Sequence, residues 1–309
     1  MAQTAAAPAA QPRSLSVVLK QYLGRDWSIG IPFILPTVLL CIGLIGYPVV
    51  YALYLSLTTK IAGRPEQFVG LQNYISLWSD SNYRQAVWVT IYYTAISIFF
   101  KFCIGLGLAL LLNMQLPARN VLTGLILLPW IAPPVVTALA WRWILEPTFG
   151  AFNYLIVYVF HISGKGVDWF GVPGLAMTSL IMTVVWRGFP FFAVMILAGL
   201  KAINQEMYEA ASVDGAGVYQ RFQYITVPGI RNVALVVILL ATIWTFNDFT
   251  IAYNLTQGGP AGATRLYSIL TYEVAFKSLQ LGRGVAISAT MLPVLAVLVV
   301  ILVRYMRRR

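Results

Sequence analysis

The sequence predicts an all-α integral membrane protein with six transmembrane helices. Three observations predict it. Hydrophobic residues make up 59% of the 309 and charged residues 10%, with a mean hydropathy of +0.77, a balance that a water-facing globular surface does not allow. The apolar residues gather into six stretches; between Asp26 and Lys60, for instance, no charge occurs, more than the roughly 20 residues that one crossing needs. Between two of these stretches lies a polar amphipathic segment, Glu209 to Pro228, which must face water and not lipid.

Residues 1–14, rich in Ala, Pro and Gln, read as a disordered tail within an N-terminal segment of residues 1–28. The first span, about residues 29–55, is too long for a signal-peptide core and lacks a small-residue cleavage site, so it is expected to be retained. A polar external loop from Thr58 to Arg84 comes next, then spans at about 86–113 and 121–145. Phe149 to Ile162 is apolar but too short to cross, and with Gly164, Lys165, Gly166 and Asp168 after it reads as an external interfacial helix and loop. The fourth span is placed at about 175–200, the fifth at 232–256 and the sixth at 284–304, with a loop at 201–231 and a basic end at 306–309.

Six crossings put both termini on one side. That side holds Arg13, Lys20, Arg25, Arg119, Lys201, Arg221, Arg231, Arg304, Arg307, Arg308 and Arg309. The opposite loops hold fewer: Lys60, Arg64, Arg84, Lys165, Arg265, Lys277 and Arg283. The richer side is read as cytoplasmic, and the net charge of +11 as topology and contact with anionic lipid headgroups rather than nucleic-acid binding.

No catalytic set is visible. His161 is the only histidine, Cys41 and Cys103 lie in apolar spans where neither a disulfide nor a metal site is expected, and Gly164-Lys165-Gly166 does not complete a phosphate loop. Uphill transport would draw its energy from another polypeptide or an ion gradient.

Charges inside lipid are costly and mark function. Asp248 lies deep in the fifth span near Trp244, Thr245, Asn247 and Asn254, and Arg187 mid-way along the fourth beside Gly188 and Pro190, which could open the helix. The two charges either pair to hold the spans together or meet a solute. Lys101 reads as partner-facing or snorkelling, Arg142 as snorkelling, and Trp141, Trp143 and Trp169 as an interfacial belt. Trp186, Phe191, Trp244 and Phe246 flank polar side chains; they suit sugars, whose C–H faces stack on rings, or else pack between helices.

The 209–228 segment begins as a helix through Met207 and Ala211, breaks at Asp214-Gly215, and resumes with Val218, Phe222 and Ile225 at helical spacing. Pro228 is expected to close it. Asp214 either caps the second helix or meets a basic residue of a partner.

Glu209-Ala210-Ala211, three residues, Gly215, nine residues, Ile225, one residue, Val227-Pro228 resembles the EAA loop of the membrane subunits of bacterial ABC importers. Val227 stands where that family usually has Leu, and Asn232 where its sugar-importing branch often has a second Pro. Phe68 to Tyr74 (FVGLQNY) and Leu255 to Pro260 (LTQGGP) resemble the MalF or UgpA type of carbohydrate permease, and the likeness covers about residues 29–305.

The resemblance implies the type I ABC importer permease (MetI-like) fold in a bacterial inner membrane. It also implies a heterodimer with a MalG-like permease, an ABC ATPase dimer that uses ATP and Mg²⁺, and an extracytoplasmic solute-binding protein; no cofactor is expected in this chain. Glu209, Ala210, Ala211, Asp214 and Gly215 would couple to the ATPase. Trp186, Arg187, Gly188, Phe191, Ala241, Trp244, Thr245 and Asp248 would contact substrate. Arg187 replaces an apolar residue and Asp248 an amide, so a sugar, oligosaccharide, polyol or sugar phosphate all remain open. An ion-coupled secondary transporter using Asp248 and Arg187 is the rival reading, against which stand the EAA spacing and the lack of inverted-repeat signals. A membrane enzyme or scaffold lacks any nucleophile, base or metal set.

Overall fold

A computed structural model describes residues 27–114 and 116–307. The disordered-tail reading of residues 1–14, and the placement of Arg13, Lys20, Arg25, Arg308 and Arg309, lie outside the described residues. Among these the chain is helical, apart from one antiparallel bridge between Thr58 and Phe68. Five helices are long and apolar enough to cross a membrane, and one sharply bent pair makes a sixth candidate.

The chain divides at Tyr54–Leu55 into two compact units. In the first, helix α1 (Trp27–Cys41) carries Pro32 and Pro36 and passes through a π-turn, Ile42–Gly46, into α2 (Tyr47–Ser56), whose last two residues belong to the second unit. Tyr47 and Tyr51 stack one turn apart with ring centroids at 6.1 Å, the spacing that i, i+4 neighbours adopt.

The second unit starts with the short helix α3 (Gln72–Ser79) and the span α4 (Ser81–Asn113). Asp80 caps α4 by accepting from the amide of Asn82 at 2.8 Å, and its other oxygen takes Arg283 at 2.6 Å. One carboxylate thereby satisfies an orphan donor and ties two distant segments together.

The third span is not a straight crossing. Helix α5 (Arg119–Ile131) and helix α6 (Pro134–Ile144) meet at 93°. Pro133 and Pro134 lack the amides that would carry a helix through, and Ala132, preceding a proline, is extended. Beyond it, the apolar stretch after Phe149 forms α7 (Ala151–Tyr154) and a π-turn at Leu155–Val159.

Span α8 (Pro173–Lys201) runs unbroken through Pro190, so the opening expected at Gly188 and Pro190 does not occur. It packs closely on α4 because Gly105 leaves no side chain where Phe192 sits; a Cβ there would collide with the Phe192 Cβ. Phe192, Ile196 and Leu112 form one core around this contact. Tyr93, Trp141, Leu180, Val184 and Ile251 form another. Trp141 is 8% exposed, which removes it from the expected interfacial belt, and Trp169 is half-buried with its indole N–H on Asn153. Trp143 alone of the three stays open, at 79%.

The loop at 201–231 contains α9 (Gln205–Val213) and α10 (Val218–Arg221), which continues through a π-turn, Phe222–Thr226, into α11 (Val227–Phe246). Pro228 therefore does not close the segment. It sits in the first turn of α11, just after the π-turn, where the missing amide is tolerated. The fifth span is interrupted in turn: residues 247–249 are non-helical, and α12 (Thr250–Thr256) resumes beyond them. A turn with a cis Gly259-Pro260 bond, held by Thr264 on Thr256 and on the Gly259 carbonyl, precedes α13 (Tyr267–Tyr272). The last span is α14 (Leu281–Arg307).

Candidate functional site

Two features of the second unit carry chemistry: a cavity lined by α4, α5, α8 and the break in the fifth span, and the exposed loop that leads into α11. The cavity measures about 250 Å³. Of the eight expected contact residues, Arg187, Gly188, Phe191, Ala241, Trp244, Thr245 and Asp248 line it. Trp186 does not. It faces a separate apolar groove, with its ring edge-on to Trp141 at 5.7 Å. The helix turns about 100° per residue, so Trp186 points away from the side that Arg187 shares with Phe191.

The cavity exists at this place because the fifth span breaks there. Asp248 lies in the gap and caps the resumed helix: its Oδ1 accepts from the Ile251 amide at 3.1 Å, the use for which a short carboxylate side chain is suited. Its Oδ2 accepts from the Tyr93 hydroxyl at 2.7 Å, and its backbone carbonyl from Ser268 at 2.7 Å. Asp248 and Arg187 do not form the ion pair considered from sequence. Arg187 instead donates from Nε to the carbonyl of Ala132 at 3.3 Å, the residue at the corner of the bent third span.

Lys101 is neither snorkelling nor exposed. It is 5% exposed and donates to Thr245 Oγ1 at 2.8 Å, joining α4 to α11 across the cavity. Its stem passes over Gly188, where a Cβ would stand 2.5 Å from Lys101 Cε. The signal was present: Thr90, Thr94, Ser97 and Lys101 recur at helical spacing and are all buried, a polar stripe along an otherwise apolar span. Trp130 stacks on Phe191 with centroids at 6.0 Å and Phe191 meets Trp244 at 5.2 Å, so an aromatic wall faces the polar one. Phe246, grouped with these from sequence, is buried against Tyr267.

At the loop, α9 starts with Asn204 accepting from the Glu206 amide at 3.0 Å and ends in a paired turn. Ala216 donates to Ala211 at 2.8 Å and Gly215 to Ser212 at 3.2 Å, with Gly215 at φ +80, the left-handed conformation that such a helix end requires. Asp214 belongs to the end of α9 and does not cap the second helix. Gly217 does, with its amide donating to Gln220 Oε1 at 2.7 Å. The Asp214 carboxylate makes no hydrogen bond among the described residues. Glu209, Ala210, Asp214 and Gly215 are exposed and Ala211 half-buried. Two hydrogen bonds strap α9 to the segment between it and α11: Tyr208 with Thr226 at 2.9 Å and Arg221 to Ser212 at 2.8 Å.

Residues 101–309 match the family described as binding-protein-dependent transport system inner membrane component. The chain is 35% identical to the trehalose/maltose transport system permease protein MalF of Thermococcus litoralis, over 81% of this chain and 84% of that one. It is 32% identical to the sulfoquinovosyl glycerol transport system permease protein SmoG of Agrobacterium fabrum, over 86% of each. Its fold is similar to that of a bacterial ABC transporter involved in the import of the acidic polysaccharide alginate, with a TM-score of 0.80 and 21% identity over 94% of this chain and 99% of that one.

Proposed function

The chain belongs to the binding-protein-dependent transport system inner-membrane components, and from that premise we propose that it forms half of the translocation pathway of an ATP-driven carbohydrate importer. The observation that carries this reading is the convergence of Arg187, Gly188, Phe191, Ala241, Trp244, Thr245 and Asp248 on one cavity with an aromatic wall and a polar wall. Ring faces and hydrogen-bonding groups opposed in this way suit a sugar. The names of the trehalose/maltose and sulfoquinovosyl glycerol relatives support the carbohydrate class.

In this reading ATP and Mg²⁺ act in a separate ATPase dimer, a MalG-like permease supplies the other half of the pathway, and an extracytoplasmic binding protein delivers the solute. Both termini and the 201–231 loop are cytoplasmic, next to anionic lipid headgroups. Helix α9, with Glu209, Ala210, Ala211, Asp214 and Gly215, seats in the ATPase. Its two straps bind it to α10 and to the π-turn after it, and the helical path from Val218 to Phe246 ends beside Thr245 and Asp248. Motion of the ATPase would travel along that path to the cavity, giving alternating access.

The test is reconstitution of the chain with its partner subunits in proteoliposomes. Stimulation of ATP hydrolysis by sugar-loaded binding protein, together with sugar accumulation, is the expected result. Uptake that tracks a proton gradient and ignores ATP would overturn the reading in favour of an ion-coupled carrier.

A further inference from the structure

We infer that the cavity takes a carbohydrate carrying an anionic group, a carboxylate, sulfonate or phosphate ester, and that Lys101 and Arg187 recognise it. The inference rests on the carbohydrate-importer reading above and narrows its substrate class.

The charges that line the cavity do not balance. The ionisable residues lining the cavity are Lys101, Arg187 and Asp248, two cations against one carboxylate. The carboxylate takes its hydrogen bonds from neutral donors, Tyr93 on one oxygen and the Ile251 amide on the other, and its single charge, felt by both cations, offsets only one of the two. Neither cation forms an ion pair with it or with any other described residue. Lys101 makes a single hydrogen bond, to Thr245, and Arg187 a single one, to the Ala132 carbonyl, leaving most of their donors unused.

A cation as buried as Lys101 is stabilised only by a counter-charge or by a full set of acceptors. Sugar hydroxyls provide acceptors but no charge. An oxyanion provides both, and the planar guanidinium of Arg187 matches its geometry. The aromatic wall of Trp130, Phe191 and Trp244 stands ready for the sugar ring that carries it.

The experiment uses the complete reconstituted importer with matched pairs: trehalose against trehalose 6-phosphate, and maltose against maltose with a uronate at its non-reducing end. ATP-dependent uptake is measured for each, and direct binding to the detergent-purified complex without binding protein isolates the membrane cavity. The anionic member of at least one pair is expected to bind the complex about 10-fold or more tighter, the range of a charge-assisted hydrogen bond. Arg187→Gln and Lys101→Gln should each erase most of that preference, while Arg187→Lys keeps part of it; co-purification of the ATPase confirms that each variant assembles.

Equal binding of the neutral and anionic members overturns the inference and leaves the carbohydrate reading intact; it would mean that the second permease supplies the missing negative charge. A preference unaltered in both Gln variants also overturns it. No ATP-dependent uptake of any sugar overturns the carbohydrate reading, and this inference with it.

Discussion

Arg187 Nε lies 3.3 Å from the carbonyl oxygen of Ala132, so the fourth span caps the corner at which the third span breaks. The break strips helical partners from the last carbonyls of α5, and in an apolar surrounding such acceptors must find a donor. The charge that sequence reasoning assigns to an ion pair or a solute is thus also part of the scaffold.

Replacing Arg187 with Met should therefore weaken the fold as well as the transport. Leaving the Ala132 carbonyl unpaired costs about 1–3 kcal/mol. A lower thermal midpoint in nanodiscs is expected, together with lost uptake. An unchanged midpoint would show that water replaces the guanidinium.

Gly188→Ala tests the path of Lys101. The added Cβ would sit 2.5 Å from Lys101 Cε, so the lysine must swing and its bond to Thr245 should break. Uptake is expected to fall about 10-fold or more, from the loss of one charge-assisted bond. Basal ATP hydrolysis in the assembled complex should persist, since the loop is untouched.

Gly215→Val addresses coupling. Nothing lies within 4 Å of the new Cβ, so the effect is purely one of backbone: φ of +80 in a β-branched residue costs about 1–2 kcal/mol. The helix end should shift, and sugar accumulation should be lost while the protein still reaches the membrane. Normal uptake by a correctly inserted variant would refute coupling through α9.

Tyr208→Phe removes one of the two straps on α9. The lost bond to Thr226 is worth about 0.5–1.5 kcal/mol. The expected signature is fewer sugars moved per ATP, read by measuring uptake and hydrolysis on the same vesicles. Equal loss of both would instead mark a folding defect.

Gly105→Val probes the packing of α4 on α8. The larger side chain collides with Phe192, and overpacking of this kind costs about 1–3 kcal/mol. Reduced yield of the intact complex is expected; full yield and normal activity would mean that the two spans separate without loss.

The particular errors of sequence reasoning share a cause. The resemblance groups Trp186 with Arg187 as substrate contacts, yet adjacent helical residues point about 100° apart and Trp186 lies outside the cavity. Asp214 reads as a cap for the helix after it, but the paired turn at Gly215 assigns it to the helix before. Trp141 reads as an interfacial ring by composition; its burial comes from α8 and Phe152 lying over it.

The contact roles of the seven expected residues that line the cavity came with the resemblance to carbohydrate permeases; the amino-acid order alone determined the helical spans and the polar loop with its Gly215 turn. Those properties arise from local periodicity, from the length of apolar runs and from the conformational freedom of glycine. Tertiary structure decided where the third and fifth spans break, and that Asp248 is held by Tyr93, 155 residues away. It also decided that Lys101 turns inward to Thr245 and that Arg187 serves Ala132. Each of these depends on which polar groups meet across spans once lipid has removed water as a partner, and no local stretch of sequence specifies that meeting.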